Sequence, residues 1–111
     1  MQQIRVLVKR PGEPAQLQTV ENTLEALQEI VGGYIETITF AEDACIICNE
    51  EGRLMGLPYN CNFCGMELVG TIIVAGVKGE EFADFPLIDV GSISLTYPLT
   101  PWLRRMFDGK D

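Results

Sequence analysis

Apolar residues along this chain follow two periods, and the change from one to the other marks out its elements. The run "IRVLVKR" (4–10) is rich in β-branched residues and ends at the turn signal "PGEP". "AQLQTV" (15–20) alternates weakly and fits as the hairpin partner of that first strand. The period then changes. In "ENTLEALQEIVGG", Leu24, Leu27 and Val31, flanked by Ile30, make an apolar stripe at helical spacing. Asn22 is placed to cap this helix, with Glu25 completing a capping-box-like pair, and Gly32–Gly33 supply a left-handed stop. The predicted helix covers 22–32.

Strand patterns return after it. "YIETITFA" (34–41) and "ACIICNE" (44–50) read as strands, separated by a turn at Asp43. "EGRLMGLPYN" (51–60) has no period and reads as an irregular loop. "VGTIIVAGV" (69–77) is nearly continuous in apolar residues, the signature of a central strand covered on both faces. "KGEEF" is a tight turn. "GSISLTY" alternates strictly, and "TPWLRRMFDG" predicts a short C-terminal helix capped by Thr100, started by Pro101 and closed by Gly109. Hairpin-length connections dominate over long crossovers. The expected fold is therefore a single α+β domain over 1–111, with a mostly antiparallel sheet, the 22–32 helix packed on one face and a short C-terminal helix. The length of 111 residues suits one domain that needs no disulfide or metal to fold.

Charge narrows the function. The net charge is −8, and no lysine or arginine occurs between Pro11 and Gly52, a stretch that carries Glu21, Glu25, Glu29, Glu36, Glu50 and Glu51 among its acids. A nucleic-acid backbone needs a cationic face, so direct nucleic-acid binding is not expected. Glu21, Glu25 and Glu29 fall at four-residue spacing and would form one acidic stripe on the helix. Two readings of this acidity stand side by side: solubility, and a surface for a basic protein partner. The apolar run near the N-terminus is bracketed by Arg5, Lys9 and Arg10 and is too short for a signal peptide or a membrane span. A cytoplasmic protein with reduced thiols and no membrane partner is expected.

The segments "TLEALQEIVGGYIE", "ICNEEGRLMGLPYN" and "VGTIIVAGV" resemble the family of domain of unknown function 3846, over roughly residues 4–85. Members of that family look like small proteins of phages, plasmids and gut or soil bacteria. The resemblance implies a mobile-element setting and carries no established activity.

All four cysteines lie between residues 45 and 64, as two CxxC pairs. Two such pairs can supply the four thiolates of a tetrahedral zinc site. "CNFCG" suits a metal-binding turn, since Gly65 relieves the crowding there. "ACIICNE" does not, because residues three apart in a strand point to opposite faces, so Cys45 and Cys48 should diverge. The expectation is no resident metal or other cofactor, with a zinc-stabilised module on Cys45, Cys48, Cys61 and Cys64 as the alternative. The chain has no histidine, which removes the commonest general base and any Cys-His or Ser-His mechanism. The carboxylate pairs Glu42–Asp43, Glu50–Glu51 and Glu80–Glu81 fit solvated turns. No enzymatic activity is expected. Arg53 is the only basic residue between Arg10 and Lys78. With Tyr59 and Asn60 it could read a carboxylate, a base or a partner loop, or it could simply neutralise Glu50 and Glu51. The leading reading is a non-enzymatic binding or regulatory protein, of anti-defence type in a mobile-element setting, whose candidate contacts are Glu25, Glu29, Arg53, Tyr59 and Asn60. A small-molecule binder on the Arg53–Tyr59 loop is the further alternative.

Overall fold

The structure is a computed structural model that describes residues 2–63 and 65–85. The predicted "GSISLTY" strand and C-terminal helix lie outside the described residues, as does Cys64. Among the described residues, eight strands and one helix follow in the order β1 (Gln3–Lys9), β2 (Gln16–Glu21), α1 (Leu24–Val31), β3 (Ile35–Ala41), β4 (Ala44–Asn49), β5 (Tyr59–Phe63), β6 (Met66–Val69), β7 (Ile72–Lys78) and β8 (Glu81–Ala83). The main sheet is antiparallel, in the order β2-β1-β7-β4-β3. β7 is its centre, as the continuous apolar run required. Gly76 pairs with Ala44 of β4 on one side and with Ala83 of β8 on the other, so β8 extends the edge that β1 occupies earlier along β7. No helix among the described residues is long and apolar enough to cross a membrane.

Each face of this sheet buries its own core. On one face Val6, Val8, Ile47 and Ile73 pack beneath Leu27 and Val31 of α1. On the other, Leu7, Ile46, Ile72 and Val74 pack beneath Cys61, Phe63 and Leu68. These last three come from β5 and β6, which pair as a separate two-stranded sheet. The sequence led to a helix on one face; the hairpin that covers the other was not foreseen, because its first strand breaks alternation. A register shift falls between Tyr59 and Cys61, so Asn60 and Cys61 are both buried. An edge-to-face contact between Phe40 and Phe63, with ring centroids 5.7 Å apart, ties β3 to the hairpin.

The helix is shorter than predicted and starts later. Asn22 is not its cap. The Asn22 N–H still pairs with the Gln2 carbonyl at 2.9 Å, continuing the β1–β2 ladder, and its side-chain amide donates to the Phe82 carbonyl at 3.0 Å. Thr23 caps instead, its hydroxyl accepting from the Ala26 N–H at 3.1 Å. Gly32 closes the helix at φ 84°, as expected, and its N–H reaches the Gln28 carbonyl. Two parts of the sequence reading are thereby corrected. Leu24 sits in the first turn and is 53% exposed, so the buried stripe is Leu27 and Val31. Glu21 belongs to β2, opposite Gln3, so the helical acidic stripe is Glu25 and Glu29 alone.

Candidate functional site

The aperiodic segment after β4 is wound on itself. The Gly52, Met55, Gly56 and Leu57 N–H groups donate to the carbonyls of Asn49, Glu51, Arg53 and Gly52, at 2.9–3.2 Å. Two buried asparagines hold its ends. Asn49 donates to the Val31 carbonyl at 3.2 Å, and its Oδ1 accepts from the Glu51 N–H at 2.8 Å. Asn60 donates to the carbonyls of Lys9 and Gly70, at 2.9 and 2.7 Å, clipping the hairpin to the end of β1. Asn60 is therefore buried as a structural clip and does not join Arg53 at a surface. The role of Asn49 was not apparent from the sequence, where it looked like the polar end of a strand.

Arg53 lines an open groove of about 320 Å³ between the β3–β4 edge of the main sheet, the wound loop and β6. Its Nη2 donates to the Glu67 backbone carbonyl at 3.0 Å, and Glu50 lines the same groove. The groove is apolar below, where Ile38, Cys48 and Leu68 lie, and acidic at the rim, where Glu36, Glu50 and Glu67 stand. Leu54 lines it at 87% exposure and Met66 at 44%. Tyr59 is half exposed on β5 and, like Asn60, is not part of this lining. The Arg53–Tyr59–Asn60 trio thus does not converge on one ligand.

A second, smaller groove of about 240 Å³ opens on the opposite face, where α1 leaves the sheet uncovered. Thr37 and Thr39 of β3, Cys45, Val77 and Phe82 line it, with Glu80 and Glu81 beside them. Glu25 and Glu29 are exposed on α1 and line neither groove.

The cysteines divide between the faces. Cys45 lies in the helix-side core, and Cys48 and Cys61 lie in the hairpin-side core. Cys45 and Cys48 diverge as strand geometry required, and the sheet separates Cys45 from Cys48 and Cys61. Among the described residues no group of three or more histidine, cysteine or acidic side chains is arranged to hold a metal. Burial pushes the Cys45 thiol up from 9.0 to about 11; burial, then repulsion from Glu36, does the same to Cys48. Thiols of this kind stay protonated at neutral pH and are poor nucleophiles.

The family model of domain of unknown function DUF3846 matches residues 4–94, most of the chain. The chain belongs to this family. The match confirms the resemblance and continues it past residue 85. Neither a curated protein nor a solved structure matches the chain.

The raised thiols give this DUF3846 protein a testable pH response. The unfolded chain ionises these thiols from about pH 9, whereas the folded chain holds their protons to about 11. Between those values the unfolded state binds fewer protons, so stability falls as pH rises. Urea midpoints measured across this range should decline. The decline should flatten in a Cys45→Ala/Cys48→Ala variant, and an unchanged slope would show that the two thiols ionise without hindrance in the folded chain.

Proposed function

We propose that this chain is a non-enzymatic binding protein of a mobile element, and that it captures a protein partner through a basic, partly apolar determinant seated in the larger groove. One observation carries the reading: an open groove with an apolar floor, exposed Leu54 and Met66 at its margin, and Glu36, Glu50 and Glu67 around its rim. Arg53, its one cation among the described residues, donates through Nη2 to a backbone carbonyl. Lysine and arginine side chains suit such a place, because their stems lie on apolar surface while their charged ends reach carboxylates. The acidic helix face offers charge without a cavity. A regulatory or anti-defence role in the cytoplasm accords with the setting that the family resemblance implies.

The test is capture from a native bacterial host by the tagged chain. Glu36→Lys/Glu67→Lys should keep the melting temperature of the parent and lose partners that elute with salt. Glu25→Lys/Glu29→Lys should keep both stability and partners. The reverse result, partners lost with the helix variant and kept with the groove variant, would move the binding surface to α1. Capture insensitive to both changes and to salt would reduce the acidity to a solubility device.

A further inference from the structure

The two grooves share one strand. Glu36 and Ile38 of β3 line the larger groove on the hairpin face, and Thr37 and Thr39 line the smaller one on the helix face. Among the described residues β3 is also the last strand of its sheet, and nothing there pairs with its outer edge. Its hydrogen-bonding phase follows from the register. The Glu50 N–H donates to the Tyr34 carbonyl at 2.8 Å, and the pairing continues through Glu36 with Cys48 and Ile38 with Ile46. Antiparallel pairs alternate between bonded and non-bonded positions. Ile35, Thr37 and Thr39 therefore turn their N–H and C=O groups outward.

Exposed edges are ordinarily blunted by lysine, proline or a bulge. Between Ile35 and Thr39 there is no lysine and no proline, and the register shift comes only between Thr39 and Ala41. The open stretch of Ile35–Thr39 is about 17 Å long at strand rise. A strand laid beside it would send successive side chains to opposite faces, one set over each groove.

We propose that an extended basic segment of the partner adds to this edge as the next strand of the sheet, its side chains entering the two acidic grooves in alternation. This rests on the partner-binding reading above and names how the partner is held. Main-chain hydrogen bonds to Ile35, Thr37 and Thr39 supply the pairing, and the grooves supply selectivity. Arginine or lysine ends meet Glu36, Glu50 and Glu67 on one face and Glu80 and Glu81 on the other. A second copy of the chain is disfavoured as the occupant, because it would bring its own Glu36 and a net charge of −8 to the same acidic edge.

A short peptide alternating arginine with valine is the probe, with a glutamate-for-arginine version as control. Amide hydrogen exchange read residue by residue should show new protection at Ile35, Thr37 and Thr39 and little change at Glu36 and Ile38, whose amides already pair with β4. Thr37→Pro removes an outward donor at an edge position that tolerates proline, and should weaken binding by about tenfold or more at unchanged melting temperature. Thr37→Val keeps the backbone donor and should recover most of the binding that Thr37→Pro loses. If Thr37→Pro fails to fold, the exchange pattern of the parent decides alone. Peptide binding that responds to Glu36→Lys/Glu67→Lys but leaves the outward amides unprotected would overturn the strand addition and leave the groove reading intact. Equal binding of the glutamate peptide, or no binding of the arginine peptide, would overturn it as well. Self-association of the chain with protection at the same three amides would assign the edge to a second copy instead.

Discussion

Replacing Leu27 with alanine should lower the unfolding free energy by about 2–5 kcal/mol, the range for truncating a buried leucine whose site cannot collapse. Leu27 is 1% exposed and sits with Val31 over Val6, Val8 and Ile73. The helix has only eight residues and would be marginal in isolation, so its place depends on this contact. Leu24 on the same helix supplies the control. It is half exposed, and Leu24→Ala should change stability by less than about 0.5 kcal/mol. Urea unfolding of both variants, with equal slopes, measures the contrast. Equal losses at the two positions would mean that α1 packs through its first turn after all.

Replacing Gly76 with alanine should destabilise the protein by about 3–5 kcal/mol, roughly the loss expected from removing a packed phenylalanine. The added Cβ would run into the backbone carbonyl of Asp84, which no rotamer change can move. The 84–85 segment crosses there to reach β1. The Asp84 Oδ1 accepts from the Arg5 N–H at 2.7 Å, and the Phe85 N–H donates to the Arg5 carbonyl at 2.8 Å. Phe85 then fills the hairpin-side core at 4% exposure. Alanine at 76 must displace this segment and, with it, Phe85. A double-mutant cycle tests that route. Phe85→Ala should cost a similar amount alone, and Gly76→Ala should cost much less in its background. Full additivity would show that Gly76 acts through β7 itself.

The elements that the sequence revealed are those whose pattern is local. β1, β3, β4 and β7 declared themselves through β-branched and apolar runs, and Gly32 marked the helix end because a left-handed residue there is a backbone requirement. The N-terminal end of the helix was misread for a tertiary reason. Asn22 has the right side chain for a cap, but the β1–β2 ladder still holds its backbone, and the capping role passes to Thr23. The hairpin β5–β6 was missed because its bulge at Asn60 hides the alternation that identifies a strand. The divergence of Cys45 and Cys48 was legible because strand geometry alone decides it. The separation of Arg53 from Asn60 was not, since sequence proximity says nothing about which side chain a clip will bury.

The sequence by itself determined the antiparallel α+β character, the central covered strand, the acidic surface and the family, since each follows from the period, composition or order of residues. Tertiary structure decided the rest. It placed a second sheet over the face opposite the helix, brought Cys61 to the same side of the main sheet as Cys48, and left the outer edge of β3 without a partner among the described residues, between two grooves. These depend on which strands become neighbours. Residues far apart in the chain, such as Glu36 and Glu67 or Thr39 and Glu81, come to line one groove only after the sheet has closed its pairings.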